Sequence, residues 1–312
     1  MKRRLFTLQV ILLGLLILAF IAAIIQTINI TDPVAKQINE LPKSGRNEEF
    51  DPALSRLNST ETVINYCDSL YDQQYKNSDV DDFQKYYTEI LSSVIRKRFY
   101  HGYSYYGLRT NYMAFLFSKV SANGYRAIIV PDDILKYPAA ACSQQSIIMM
   151  EVLREKNIAS RKVGFQGHQS GHFCFEVFYD GGWHFYDTNM EPDNEVLNAH
   201  NRPDIASLVA NKELLLKAYK SYPAELILDV FSTYTYGPVN TFPAPRGIVF
   251  QRITMFLSYT LWLFFLILYI LVRRRYLRLS VKKYVRNRRI YFTQSERGTS
   301  PSYYPGIAAP GA

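Results

Sequence analysis

Residues 139–189 read AAACSQQSIIMMEVLREKNIASRKVGFQGHQSGHFCFEVFYDGGWHFYDTN, and the rest of the chain is organised around them. It carries a thiol at Cys142, an imidazole at His172 and a carboxylate at Asp187, in that order along the chain. Acyl transfer by a cysteine uses these three groups, because a thiol becomes a strong nucleophile only when it ionises. The rest of the chain is predicted to be framework and membrane anchors around this stretch.

Cys142 stands where a helix is predicted to begin. Apolar residues follow it at spacings that include three and four, which is typical of one buried helical face: Ile147, Ile148, Met149, Val152 and Leu153. Asn157 marks the predicted end of this helix, and residues 161–165 then have the pattern of a strand. The thiol would therefore lie at the positive end of a helix dipole, which favours the thiolate.

The imidazole belongs to a predicted β-hairpin. Residues 172–179 are rich in Phe and Val, as strands are, and residues 183–187 form the return strand. Asp180-Gly181 between them is typical of a two-residue type I′ turn.

The register of this hairpin decides whether the imidazole and the carboxylate meet. With the turn at Asp180-Gly181, Asp187 lies opposite Cys174 and diagonal to His172 on the same face, where side chains can reach each other. A turn at Gly181-Gly182 with a bulge would spoil this arrangement. The spacing is thus compatible with an Asp187–His172 pair and does not require one.

These residues resemble the transglutaminase-like superfamily of papain-like folds. The match is Cys142 at the head of a helix, His172 opening a strand that continues with Glu176-Val177, and the motif Gly-x-Trp183-x-x-x-Asp187. Such domains carry their His and Asp about fifteen positions apart on a hairpin, and the same gap separates the two residues here. The specific match covers residues 135–189, and a looser one extends over the extramembrane region.

The resemblance implies an α+β fold in which a helix bearing the Cys packs on an antiparallel sheet bearing the His and Asp. It implies that Cys142 is the nucleophile, that His172 is general base and acid, and that Asp187 orients His172. Members of the superfamily include transglutaminases, proteases, amidases and catalytically silent relatives. The family therefore implies a type of site, with no cofactor, and leaves the reaction and the substrate open.

Acyl transfer also needs donors for the developing oxyanion. The backbone N–H of Cys142 is one candidate at the helix start. Some papain-like enzymes use a Gln several residues upstream, but this chain has Lys136 and Tyr137 there. Gln144 and Gln145 are alternatives for the second donor, although we expect both to face solvent.

Two segments are predicted to span a membrane. Residues 5–26 and 253–272 are long and almost purely apolar, and each is about long enough to cross a bilayer core. A cleaved signal peptide is the alternative for the first, but Ile24-Ile25 after Ala22-Ala23 favours an uncleaved anchor.

Basic residues flank both spans and set the predicted orientation. Residues 1–4 and the tail 273–312 carry clusters of Lys and Arg, which stay on the cytoplasmic side. The linker 27–59 and the main domain 60–245 are then extracytoplasmic or periplasmic, and the protein is expected in the plasma or inner membrane. The basic segment 273–289 could also contact anionic lipid.

The formal net charge of +9 comes from the ends of the chain. Without the two terminal clusters, acidic residues slightly outnumber basic ones, which argues against a nucleic-acid partner. The expected partners are a protein, peptide or other amide-containing envelope substrate, and membrane lipid around the anchors.

Outside the central stretch the sequence predicts mostly helices and loops. Residues 60–75, 80–99, 103–120 and 205–219 have helical spacing. Residues 226–230 are compatible with a strand or a helix, and residues 127–130 with a strand or a buried loop. Loops are predicted over 191–195, where the acidic residues offer a less favoured cation site, and over 235–245, and the end 299–312 is expected to be disordered.

The other two cysteines, Cys67 and Cys174, leave two interpretations open. They could pair in an exported domain, or they could be free buried thiols, the simpler alternative. A metal site made of His168, His172, Cys174 and His184 is a less favoured hypothesis, because the glycines around His168 argue against a helix and His184 is predicted on the opposite hairpin face.

Three function classes follow from these residues. The favoured one is a membrane-anchored, extracytoplasmic cysteine enzyme that acts on amide bonds through a thioester, by hydrolysis or by transfer to an amine. The second is a catalytically weak or silent scaffold or binding module of an envelope assembly. The third is a redox- or metal-responsive protein that uses Cys174 and Cys67.

Overall fold

The structure is a computed structural model that describes residues 2–28, 49–75, 82–120, 127–168 and 171–296. The predicted disordered end, 299–312, lies outside these residues. The chain divides into two compact units, one within residues 1–24 and 259–312 and the other within residues 25–258.

The helices, in chain order, are α1 (Lys2–Ile28), α2 (Thr60–Tyr75), α3 (Phe83–Arg98), α4 (Leu108–Val120), α5 (Pro131–Ile134), α6 (Cys142–Glu155), α7 (Asn194–Asn198), α8 (Ile205–Ala210), α9 (Lys212–Ala218), α10 (Ala224–Val230) and α11 (Pro245–Glu296). The strands are β1 (Tyr100–His101), β2 (Ala139–Ala140), β3 (Ser160–Gln166), β4 (Gly171–Tyr179), β5 (Gly182–Tyr186) and β6 (Tyr234–Tyr236). The fold class is therefore α+β, as predicted.

The first unit contains parts of two helices, α1 and α11, that are long and apolar enough to cross a membrane. Ring contacts join Phe6 to Tyr276 and Phe20 to Trp262. Because residue numbers rise along one helix as they fall along the other, the two helices run antiparallel. Length and composition thus suggest membrane association at both ends of the chain.

The second unit contains a four-stranded antiparallel sheet in the order β5-β4-β3-β6. Tyr179 pairs with Gly182 across the β4–β5 hairpin. The two residues of the turn, Asp180 and Gly181, have positive φ angles of 49° and 73°, as a type I′ turn requires. The predicted turn and register are confirmed.

The core of this unit has two layers, one on each face of the sheet. Alternate residues of β4 point to opposite faces, so Phe175 and Val177 pack with α2, α3 and α6, whereas Cys174 packs with the helices that follow β5. Helix α6 lies in the first layer and begins at Cys142, as predicted.

Arg98, at the end of α3, is buried, and its hydrogen-bond acceptors among the described residues are backbone carbonyls. Its guanidinium donates to the carbonyls of Ser55, Leu57, Leu135 and Tyr137. Burial lowers the pKa of Arg98 to about 10. These bonds fasten the segment before α2 to the segment that leads into Cys142.

The predicted linker, 27–59, contains structured residues at both ends. Helix α1 continues to Ile28, and Leu54 and Leu57 are buried in the first core layer. The folded unit thus begins before residue 60. Residues 29–48 lie outside the described part of the chain.

The prediction of one helix over residues 205–219 is wrong. Asn211 leaves the helical region, with φ −99° and ψ 80°, and its side chain accepts from the backbone N–H of Leu214. Asn is a good N-cap residue, so α8 ends and α9 begins at this point. The break brings Tyr219, just after α9, into the second core layer.

Smaller differences concern segments near the sheet. The loop predicted over 235–245 begins with two residues of β6, because β6 adds a fourth strand beside β3. Residues 127–130 form a loop in which Ile128 is buried, and residues 226–230 belong to α10. The helix predicted over 103–120 starts only at Leu108.

Candidate functional site

Cys142 is the first residue of α6, and its surroundings are held by the side chain of Gln144. The Gln144 Oε1 accepts from the N–H groups of Ala141 (3.2 Å) and Ser104 (2.9 Å). Its Nε2 donates to the carbonyls of Ser104 (2.9 Å) and Ile128 (2.7 Å). Gln144 therefore clamps two neighbouring loops to the helix start that carries the thiol.

Gln144 and Gln145 are both fully buried, so the prediction that they face solvent is wrong. Gln145 Nε2 donates to the carbonyl of Ala140. The reason is that neighbouring loops cover the start of α6, and the buried carbonyls there need hydrogen-bond donors, which the two Gln side chains supply. Neither side chain is placed as an oxyanion donor.

A second contact ties α6 to the strand that bears the imidazole. Ser146, one turn after Cys142, donates from its hydroxyl to the carbonyl of Phe173 at 3.1 Å. Phe173 is the residue after His172 in β4. This bond fixes the start of α6 against the start of β4, where the thiol and the imidazole meet.

His172 and Asp187 form a buried pair. The distance from His172 Nε2 to Asp187 Oδ2 is 2.7 Å, and the two residues are 8% and 4% exposed. The other carboxylate oxygen, Oδ1, accepts from the backbone N–H groups of Asn189 (2.9 Å) and Met190 (3.0 Å). Asp187 thus lies directly after β5, and the turn that begins there holds its carboxylate in place.

Tyr219 is a further member of this network, which the sequence did not reveal. Its hydroxyl donates to Asp187 Oδ2 at 2.9 Å. Its ring packs against Phe231 with 5.0 Å between centroids, and the side chain is almost fully buried. A Tyr at this position has no sequence signal, since it lies 32 residues beyond its partner.

Electrostatics favours an ion pair between His172 and Asp187. Burial alone would lower the pKa of His172, but the Asp187 carboxylate outweighs it and the pKa is raised well above the ordinary value. Burial alone would raise the pKa of Asp187, but His172 and the N–H donors hold it at about 2. The imidazolium and the carboxylate therefore stabilise each other.

The thiol of Cys142 lies within hydrogen-bonding reach of the His172 imidazole and contributes to its raised pKa. Asp187 occupies Nε2 of the ring, and the Cys174 thiol is a second sulfur close to the imidazole. Cys142 is half-buried, whereas the other two cysteines are buried. The structure thus brings the three residues singled out from the sequence into one place.

Tyr103 is a second neighbour of the thiol that the sequence did not reveal. It is half-exposed, and its ring interacts electrostatically with Cys142 and His172. Its hydroxyl lies within hydrogen-bonding reach of Ser143. Burial is the main cause of the raised pKa of Tyr103. The parallel pairing of β1 with β2 and the Gln144 clamp on Ser104 bring this loop to the helix start.

All three cysteines are unpaired, so Cys67 and Cys174 form no disulfide. Cys67 belongs to the first core layer and Cys174 to the second. Burial raises the pKa of the Cys174 thiol well above its ordinary value, and Asp187 adds to this effect.

Within the described residues, one group of potential metal ligands stands out: His172, Cys174 and Asp187, whose ligand atoms lie within 4.8 Å of one another. The less favoured metal set considered from the sequence, which included His168 and His184, does not come together. His184 lies on the opposite face of the sheet, stacked on Tyr179 at 3.8 Å.

A cavity of about 600 Å³ opens at the other end of β4, beside Tyr179, His184 and Arg202. His172 opens β4 and Tyr179 closes it, so this cavity is separated from the thiol by the length of the strand. It is not part of the site around Cys142.

No protein-family model, curated protein or solved structure matches this chain. The geometry around Cys142, His172 and Asp187 therefore carries the functional inference.

Proposed function

We propose that this chain is a membrane-anchored, extracytoplasmic cysteine enzyme of transglutaminase-like type that acts on amide bonds. The observation that supports the proposal is the position of His172, whose imidazole has the Asp187 carboxylate at 2.7 Å and the Cys142 thiol within hydrogen-bonding reach. In known triads a base contacts the nucleophile and a third group orients the base, which are the roles proposed here for His172, Cys142 and Asp187. A helix bearing the thiol against an antiparallel sheet also agrees with a papain-like fold.

In the proposed reaction, the proton of Cys142 already resides on His172 Nδ1 as a thiolate–imidazolium pair, in keeping with the raised pKa of His172, and the thiolate sulfur attacks the carbonyl carbon of an amide. The tetrahedral intermediate collapses to a thioester while His172 gives the proton to the leaving amine. Water or a second amine then attacks the thioester, again with His172 moving the proton, and the free thiol is restored. Asp187 keeps Nδ1 directed at the sulfur throughout.

The oxyanion would be held at the start of α6. The first N–H groups of a helix have no acceptor within the helix, so the N–H of Cys142 can donate to the substrate oxygen. We propose the Tyr103 hydroxyl as the second donor, because it lies beside Ser143 and near the sulfur. This assignment replaces Gln144 and Gln145, which are committed to loop carbonyls.

The two apolar helices support the proposed location. They are antiparallel within their unit, which brings the basic ends of the chain to one side, and Lys and Arg clusters remain cytoplasmic. The domain between them would then act on a protein, peptide or other amide-containing substrate of the cell envelope.

The test is alkylation of the full-length chain in detergent by iodoacetamide, followed by peptide mass spectrometry over a range of pH. We expect Cys142 to be labelled well below pH ~8.5, where a free thiol would be half ionised, and this labelling to be lost in His172→Ala. His184→Ala is the matched control, because it removes an imidazole from the other face of the sheet.

Labelling of Cys142 that follows an ordinary free thiol, with or without His172, would overturn the enzyme proposal. The silent scaffold would then be the better hypothesis. Selective labelling would justify a screen of amide substrates, in which Cys142→Ala should abolish the activity.

A further inference from the structure

The second thiol, Cys174, has no part in the proposed reaction, yet it lies in the same buried group as His172 and Asp187. The three residues are 0%, 8% and 4% exposed. A thiol, an imidazole and a carboxylate are the three side-chain types that hold Zn²⁺ in proteins. Because these three side chains lie close together, a metal ion could bind them in place of protons.

We propose that His172, Cys174 and Asp187 form a Zn²⁺ site that competes with the catalytic state of the same imidazole. The ligands would be the Nε2 of His172, the Sγ of Cys174 and the Oδ2 of Asp187. This proposal goes beyond the acyl-transfer function, since the metal would occupy the site and silence it.

The geometry is close to what the metal needs. The ligand atoms lie within 4.8 Å of one another. Ligands at about 2.0–2.3 Å from a tetrahedral Zn²⁺ lie roughly 3.3–3.8 Å apart. The 2.7 Å contact between His172 and Asp187 would therefore open slightly, and Cys174 would move in by about an ångström at most.

The charge balance also favours exchange. With an imidazolium, a carboxylate and a neutral thiol, the buried group has no net charge. With Zn²⁺, a neutral imidazole, a carboxylate and a thiolate, the net charge is again zero, and two protons have left. Buried charges are stable only when they are compensated, so one Zn²⁺ for two protons is the exchange that this environment permits.

Hydrogen bonds from neighbouring groups already orient Asp187, one of the three proposed ligands. Asp187 receives the hydroxyl of Tyr219 on Oδ2 and two backbone N–H groups on Oδ1. Such contacts usually hold metal-binding carboxylates and raise affinity. Tyr219 or a water molecule would complete four-fold coordination.

Bound Zn²⁺ would block the proposed reaction through His172. The metal takes the lone pair of Nε2, so Nδ1 carries the proton and cannot accept one from Cys142. The site would thus be reversibly inactive while the metal is present and active after its removal.

The experiment titrates the full-length chain, in detergent and freed of metal by dialysis, with ZnCl₂ against a chromophoric chelator. We expect one Zn²⁺ per chain at micromolar concentration or below, and at least about 100-fold weaker binding in Cys174→Ser and Cys174→Ala, which lose a ligand. Cys67→Ser is the matched control, because Cys67 is a buried thiol of the other core layer and should leave binding unchanged.

Co²⁺ substitution identifies the thiol that binds. A thiolate-to-Co²⁺ charge-transfer band should be present in the wild type and in Cys142→Ser and absent from Cys174→Ser. Binding that survives in both Cys174 variants, a band lost with Cys142 instead, or no binding by the wild type would each overturn the proposal. Because Cys142→Ser retains the metal site but has no nucleophile, this result is independent of the alkylation test.

Discussion

The Tyr219 hydroxyl and the His172 Nε2 bind the same oxygen of Asp187, at 2.9 Å and 2.7 Å respectively. Asp187 Oδ2 therefore has two hydrogen-bond partners, and its contact with Nε2 fixes the orientation of the imidazole ring. Tyr219 is thereby a positioning residue, since it acts on the site through Asp187 and does not touch the thiol.

Tyr219→Phe should remove one donor to a buried carboxylate and keep the packing of the ring. We expect a loss of about 1.5–3 kcal/mol in the free energy of unfolding, and slower alkylation of Cys142 at neutral pH because His172 is held less firmly. Tyr66→Phe, on α2, is the control. If Tyr219 had only a structural role, Tyr219→Phe would lower the stability and would not change the pH profile of Cys142 alkylation.

Asp187→Asn should lower the pKa of His172. Burial lowers the pKa of His172, and the Asp187 carboxylate is the largest of the effects that raise it, so its removal leaves burial opposed chiefly by Cys174. NMR titration of the His172 ring in a Cys142→Ser background measures the change. A pKa that stays above about 6.5 in the variant would show that Asp187 is not the group that charges the imidazole.

The same shifts set the pH window of the pair's stabilising effect. A raised folded pKa means that the contribution of His172 is fully present below about pH 6.5 and is lost as pH rises through the folded value. The depressed pKa of Asp187, about 2, means that its contribution is present above about pH 4 and lost below that. Thermal denaturation should therefore show the largest deficit of Asp187→Asn between these limits.

Gln144→Leu should loosen the start of α6. The side chain accepts from the N–H groups of Ala141 and Ser104 and donates to the carbonyls of Ser104 and Ile128, so its loss leaves these polar groups unpaired, at about 1–3 kcal/mol each. Gln145→Leu, next in the chain, breaks one hydrogen bond within the described part of the chain and is the matched control. Equal losses of stability in the two variants would contradict the clamp.

Arg98→Met should destabilise the domain by about 3–5 kcal/mol, because four buried carbonyls lose the charged donor that they share. Arg96→Met removes a neighbouring guanidinium that pairs with the more exposed Glu49, and it should cost less than about 1 kcal/mol. Denaturant unfolding of both variants in detergent compares the two. A small effect of Arg98→Met would mean that the carbonyls find water instead.

The sequence predicted the structure best where a conformation depends on residues that are close together along the chain. A turn that needs positive φ at Asp180 and Gly181 fixes the pairing of the whole hairpin, and the two-residue period of a strand then carries His172 and Asp187 to one face. The helix that begins at Cys142 follows in the same way from its apolar spacing.

The predictions were wrong where a polar side chain forms hydrogen bonds with residues that are distant along the chain. Gln144 has the sequence appearance of an exposed first-turn residue, but loops from 40 and 16 positions away cover it and take up its hydrogen bonds. The break at Asn211 was missed because its cap forms inside an otherwise continuous apolar pattern.

The order of amino acids was enough to predict the two apolar helices, the thiol at a helix start and the hairpin that joins the imidazole to the carboxylate. Each of these follows from local periodicity and turn chemistry, which act over a few residues. The contact of Tyr219 with Asp187, and the place of Cys174 in the group around His172, became visible only in the folded chain. These contacts depend on how helices after the sheet pack against it, and close packing of a core selects them without leaving a pattern in the chain.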